Sequence, residues 1–138
     1  MSYPLDSNVI SELRKGARAD PNVAAWFSSV SGEEIFLSVL VLGEIRRGIE
    51  RIRRRDPKGA RALESWLARL VSDYADRVLP IDRDVAEEWG RLNVPKPVPV
   101  VNGLMAAIAR IFDLTLVTRN VRDVSSTGVE FLDPWASL

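Results

Sequence analysis

Four oxygen-bearing side chains, Asp6, Glu44, Asn102 and Asp123, have the types that suit chemistry in this chain. They lie far apart in sequence, yet each falls at the end of an expected strand or on the helix that follows one. Asp6 stands in Tyr3-Pro-Leu-Asp-Ser-Asn8 and Glu44 in Val41-Leu-Gly-Glu-Ile45. Asn102 stands in Val101-Asn-Gly-Leu104 and Asp123 in Thr118-Arg-Asn-Val-Arg-Asp123. Where strands and helices alternate, the carboxyl ends of parallel strands gather on one sheet edge, and ligands bind there. Converging carboxylates repel one another unless a cation or protons come between, and a hard divalent ion such as Mg²⁺ is the usual cation. The pattern therefore predicts metal-assisted hydrolysis of a phosphate ester, with a neutral amide at the third position.

Each residue also has a plainer reading. Asp6 precedes a helix and could simply cap it, with Asn8 holding the same loop or orienting the carboxylate. Glu44 could be an exposed glutamate paired with Arg47 one turn on, near Arg51. Gly43 and Gly48 argue otherwise, since both remove bulk around Glu44 at a cost to the helix of about 0.5–1 kcal/mol each. Asn102 is expected to open the next helix as an N-cap, or to face the sheet edge as a weak, neutral ligand. The segment Thr118 to Asp123 is a turn, or a place where Thr118 and Asn120 support the site and Arg119 and Arg122 contact phosphate. Arg46, Arg47 and Arg51 begin a basic run that reads as a solvated helix face, a nucleic-acid track or the contact surface of an acidic partner.

Two absent residue types narrow the chemistry. The chain has no cysteine, which removes disulfides, thiol nucleophiles and thiolate zinc sites. It has no histidine, which removes the commonest general base and transition-metal ligand. Carboxylates with a hard metal are the catalytic tools that remain. At 138 residues with zero formal net charge, the chain is expected to be one domain, residues 1–138, that attracts nucleic acid only through local patches. The N-terminus lacks a basic and an apolar targeting region, so a cytoplasmic location with no membrane span is the expectation.

The elements that must position these residues can be read in order. Strands are expected at Tyr3–Leu5, Glu34–Ser38, Val78–Ile81, Leu114–Thr118 and Val129–Leu132, the last at an edge. Helices are expected over Ser7–Arg14, Asp20–Val30, from Val39 to Asp56-Pro57, Gly59–Tyr74, Asp82–Leu92 and Asn102–Phe112. The proline-rich stretch Val94–Val100 is a connector. The order β-α-α-β-α-α-β-α-α-β-β predicts a three-layer α/β/α sandwich with a mostly parallel central sheet.

Taken together, Leu5-Asp-Ser-Asn-Val-Ile-Ser-Glu12, Leu37-Ser-Val-Leu-Val-Leu-Gly-Glu-Ile-Arg-Arg-Gly48, Asn102-Gly-Leu-Met-Ala-Ala-Ile-Ala109 and Leu116-Val-Thr-Arg-Asn-Val-Arg-Asp123 resemble the PIN-domain ribonucleases. Within them the resemblance is to the VapC-type toxins of bacterial toxin–antitoxin pairs, and Asp133-Pro-Trp135 shares it. It implies a Mg²⁺- or Mn²⁺-dependent endoribonuclease, in-line attack of water on an RNA phosphodiester, and a homodimer held by a small VapB-type antitoxin. By matching position, Asp6, Glu44 and Asp123 would form the acidic metal site, supported by Thr118 and Asn120. Asn102 departs from the family's Asp, which leaves two alternatives: a weakened nuclease, or an inactive module of the same fold that binds RNA or antitoxin. A haloacid-dehalogenase-type phosphotransferase would need a second Asp where Asn8 stands. A receiver domain would need a Lys where Arg119 follows Thr118.

Overall fold

Five short strands, all paired in parallel, form the centre of the computed structural model, which describes residues 1–136. They are β1 (Tyr3–Pro4), β2 (Ile35–Ser38), β3 (Val78–Leu79), β4 (Leu116–Val117) and β5 (Phe131–Leu132). β2 lies between β1 and β3, and β4 pairs with β5. A parallel bridge between Leu5 and Val117, with the Asp6 N–H donating to the Val117 carbonyl at 2.9 Å, joins the two groups. The spatial order is therefore β3-β2-β1-β4-β5. The chain leaves β1 in one direction and later returns to its other side, which makes the end of β1 the topological switch point.

Among the described residues seven α-helices surround the sheet: α1 (Ser7–Leu13), α2 (Pro21–Ser29), α3 (Val39–Arg53), α4 (Pro57–Asp73), α5 (Arg83–Leu92), α6 (Val100–Ile111) and α7 (Val121–Ser125). Most start where the sequence supplies a side-chain acceptor for their free N–H groups. Asp6, Asp20, Ser38, Asp56 and Asp82 cap α1 to α5 in turn, and Pro21 and Pro57 occupy the first helical turn behind their caps. The alternation along β2 sets the layers. Ile35 and Leu37 are buried in the main core, and Leu37 faces Ile10, Phe27, Trp66 and Leu70 of α1, α2 and α4. Phe36 points the other way and packs with Val85 of α5 and Ala107 and Ile108 of α6. Burying side chains of this size contributes about 1.5–3 kcal/mol each.

Two contacts fix the helices that carry Glu44 and Asn102. Ser38, fully buried, accepts the Val41 N–H and donates to Met105 Sδ at 3.1 Å, tying the start of α3 to α6. A Cβ on Gly103 would stand 3.2 Å from the Trp89 ring, so α5 packs directly on the α6 backbone beside Asn102.

Three local expectations need correction. The strands are shorter than predicted, down to two residues in β1, β3, β4 and β5. A helix, α7, lies between β4 and β5 where the sequence suggested a turn, because the polar run from Asn120 closes into i→i+3 and i→i+4 hydrogen bonds. Asn102 does not cap α6: the helix starts at Val100 behind Pro99, and Asn102 sits in its first turn with its side chain free for other partners.

Candidate functional site

The switch point holds Asp6. Its residue is 5% exposed, and its backbone is pinned to β4 by the bond to Val117. Oδ1 accepts the Ser7 N–H at 2.7 Å, and Oδ2 accepts the Thr118 hydroxyl at 2.8 Å and the Asn120 amide at 3.4 Å. Asp6 is therefore both a helix cap and a site carboxylate. The two readings of the sequence are compatible, because a cap at a strand end faces the cleft.

Thr118 holds this arrangement from the position just after β4. Its N–H donates to Leu132 of β5 at 3.0 Å, and its hydroxyl, buried, accepts the Asn120 N–H at 3.0 Å while donating to Asp6. Asn120 extends the line: its side-chain N–H groups serve Asp6 and also Asn102 Oδ1, the latter at 3.3 Å. Asn102 Nδ2 in turn donates to Asp123 Oδ2 at 3.0 Å. An unbroken series of hydrogen bonds thus runs from Asp6 through Asn120 and Asn102 to Asp123. Residues up to 114 positions apart bond because β1, α6 and the β4–α7 turn converge on one edge.

Glu44 stands on α3 beside this line and shares no hydrogen bond with it. Its Oε1 is buried without a hydrogen-bond partner. Glu44 lines one depression with Ser7 and Ser11 and a second with Val101, placing it between the starts of α1 and α6. No ion pair joins Glu44 to Arg47 among the described residues, so the reading as a surface helix pair does not hold. A buried carboxylate oxygen lacking a donor costs free energy unless a proton, water or cation satisfies it.

The remaining expected residues divide. Asn8 is exposed and makes no side-chain hydrogen bond to Asp6; the Ser7 N–H, at 2.7 Å, and the Ser7 hydroxyl, at 3.5 Å, take that role. Arg46 is engaged within the chain, bonding Glu50 at 3.3 Å and Glu64 at 2.5 Å, with Arg53 on the same two carboxylates. Arg47 lines both depressions beside Glu44, and Arg51 is exposed. Arg122 is exposed on α7. Arg119 lies 4.8 Å over the Trp135 ring, and Asn22 of α2 bonds the Trp135 carbonyl at 2.8 Å. The terminal turn therefore holds Arg119 in place by a cation–π contact. Ser7 and Trp135 were not singled out as site residues from sequence, although Trp135 closes one of the resemblance motifs.

The donors here are oxygens, which suits Mg²⁺ or Mn²⁺ and no thiolate or imidazole metal. Asp6 and Asp123, with Glu44 and its unpartnered oxygen beside them, supply negative charge, and Asn102 offers one neutral oxygen. Among the described residues, no three Asp, Glu, His or Cys side chains group closely enough to hold a metal ion. The expected carboxylate cluster is thus opened by amides. Also among the described residues, no helix is long and apolar enough to cross a membrane.

Comparison with known proteins finds relatives that share this fold along most of the chain. The chain is 31% identical over 140 residues to Toxin FitB of Neisseria gonorrhoeae, covering 95% of this chain and 96% of that protein. It is 30% identical over 139 residues to VapC ribonuclease Y4jK of Sinorhizobium fredii, with coverage of 95% and 96%. Its fold is similar to the crystal structure of FitAcB from Neisseria gonorrhoeae, with a TM-score of 0.88, 28% identity, and coverage of 96% of this chain and 98% of that one. FitAB bound to a DNA fragment is similar at a TM-score of 0.88 and 26% identity over 99% of this chain and 97% of that one. The PIN domain model matches residues 3–127, from the first strand past α7 and through every residue of the hydrogen-bonded series, so this chain belongs to the PIN domain family.

Proposed function

We propose that this chain is the toxin of a bacterial toxin–antitoxin pair, a cytoplasmic endoribonuclease that hydrolyses RNA phosphodiester bonds and is held inactive by a VapB-type antitoxin. The observation that carries this reading is the series linking Asp6 to Asp123 at the β1 switch point, beside the unpartnered oxygen of Glu44. The names of the relatives, a toxin and a VapC ribonuclease, support it. A homodimer with antitoxin bound across the cleft is part of the proposal.

Asp6, Asp123 and the Asn102 oxygen would hold a Mg²⁺ or Mn²⁺ ion, with Glu44 at its edge. Such an ion lowers the pKa of an attacking water and offsets charge on the phosphodiester oxygens. The protein's own contribution is orientation. Ser7 and Thr118 each donate to one oxygen of Asp6, so the carboxylate keeps its direction as ion and substrate arrive. Arg119, steadied on Trp135, and Arg122 and Arg47 would contact phosphates of the substrate, a role supported by the shared depression of Arg47 and Glu44.

One observation favours the second reading, an inactive module that binds RNA or antitoxin: an amide N–H of Asn102 faces Asp123 where the family places a carboxylate. Expression with and without the cognate antitoxin separates the two. The nuclease reading expects growth arrest and new RNA 5′ ends only without antitoxin. Antitoxin capture with intact RNA under both conditions would overturn it in favour of the binding module.

A further inference from the structure

We propose that Asn102 turns the acidic site into a self-satisfied amide–carboxylate network, in which the side-chain N–H groups of Asn102 and Asn120 take the place of a bound cation. The inference rests on the reading of Asp6 and Asp123 as the metal-holding carboxylates. Asn102 Nδ2 occupies Asp123 Oδ2 at 3.0 Å, and Asn120 Nδ2 lies 3.4 Å from Asp6 Oδ2. With the Thr118 hydroxyl and Ser7 N–H also engaged, both Asp6 oxygens and one Asp123 oxygen already have donors. Hydrogen bonds to ionised carboxylates are the strong ones, so these donors offset charge that would otherwise demand an ion.

The two amides are coupled. Asn120 Nδ2 donates to Asn102 Oδ1 at 3.3 Å, which uses one lone pair of that oxygen and holds it turned away from Asp123. Rotating the Asn102 amide to free that oxygen would set its N–H groups against those of Asn120, donor facing donor. Asn120 must then turn as well and release Asp6. An ion shared between the Asn102 oxygen and Asp123 requires that rotation, and so breaks the bonds from Asn102 to Asp123 and from Asn120 to Asp6 and Asn102 together. An Asp at this position has no donor to lose: it repels Asp123 until a cation arrives, and then binds that cation. The chain as written is stable without metal and takes up divalent ions weakly, so its cleavage is confined to high ion concentration.

The test reads melting temperature and metal uptake, neither of which depends on RNA cleavage. Wild-type chain, Asn102→Asp and Asn102→Ala are melted in EDTA and in increasing Mn²⁺, with Mn²⁺ uptake measured by calorimetry. In EDTA, wild type melts highest and Asn102→Asp lowest. In Mn²⁺ the order of gain reverses, with Asn102→Asp binding at least about tenfold more tightly than wild type. Equal Mn²⁺ affinity in wild type and Asn102→Asp, or a higher melting temperature for Asn102→Asp in EDTA, overturns the proposal. If the Asp variant fails to fold in EDTA, that supports it, provided Mn²⁺ restores folding; failure in both media leaves the decision to the Ala variant, which must melt below wild type in EDTA. A chain that cleaves no RNA under any condition sinks the nuclease reading alone, because these readouts stand without it.

Discussion

Replacing Thr118 by Val removes one hydroxyl from the centre of the site with almost no change of shape. That hydroxyl donates to Asp6 at 2.8 Å and accepts the Asn120 N–H at 3.0 Å, and Thr118 is 1% exposed, so water cannot substitute for it. Losing a hydrogen bond to a buried carboxylate costs about 1.5–3 kcal/mol, and stranding a backbone N–H adds about 0.5–1.5 kcal/mol. The expected destabilisation is about 2–4.5 kcal/mol, which at an ordinary urea dependence of about 2 kcal/mol per molar moves the unfolding midpoint down by about 1–2 M. Thr118→Ser keeps the hydroxyl, loses a methyl group and should cost only about 1 kcal/mol. Equilibrium urea unfolding of the three proteins in EDTA measures this directly. A Val variant within error of the Ser variant would refute the claim that Thr118 is the polar support of Asp6.

Other outcomes follow from the same geometry. Gly103→Ala gains about 0.5–1 kcal/mol of helix propensity but pushes a methyl against Trp89, which costs about 1–3 kcal/mol, so the urea midpoint should fall; a rise would show that α5 yields freely. Glu50 is held below the ordinary carboxylate range chiefly by the Arg53 guanidinium, and Glu64 chiefly by that of Arg46. Groups lowered in the folded state stabilise above the ordinary glutamate range and lose that contribution as pH falls through their lowered values. The stability gap between wild type and Glu50→Gln/Glu64→Gln should therefore close below about pH 4, and a gap unchanged from pH 7 would contradict it. Arg47→Ala with Arg122→Ala should flatten the salt dependence of RNA binding by about 0.7 for each phosphate left without its arginine, as log affinity against log salt. An unchanged slope would exclude both side chains from the RNA track.

Much of the fold was legible because its punctuation is chemical. Asp20-Pro21 and Asp82 mark helix starts by what their side chains can accept, and the structure uses both as caps; Asp56, expected only to end α3, and Ser38, expected only to end a strand, also cap the helices that follow them. The strand around Phe36 was legible from its β-branched and aromatic content, while the layer that each of its faces meets emerges only from the packing. Strand lengths were less legible, since a strand ends where its neighbour stops pairing, and that is a property of tertiary context. The helix at Val121 was hidden for a similar reason: Asn120 and Asp123 favour turns and helix starts alike. At the site, residue types and strand-end placement brought Asp6, Asn102 and Asp123 to one edge. What sequence could not express is direction. Nothing in it says that Asn102 turns its N–H toward Asp123, that Asn8 points to solvent while Ser7 serves Asp6, or that Arg46 turns to Glu64 while Arg47 faces Glu44. Those choices depend on rotamers set by packing across helices.

Whether the edge holding Asp6 and Asp123 hydrolyses RNA with the help of a divalent ion can be measured directly. End-labelled cellular RNA is incubated with the chain freed of antitoxin, across a wide Mn²⁺ range, for wild type, Asp6→Ala and Asn102→Asp. The expected outcome is weak cleavage by wild type at high Mn²⁺, stronger cleavage by Asn102→Asp at lower Mn²⁺, and none by Asp6→Ala or in EDTA. Cleavage that survives Asp6→Ala, or none at any Mn²⁺ concentration even from folded Asn102→Asp, would contradict a metal-assisted nuclease at this edge.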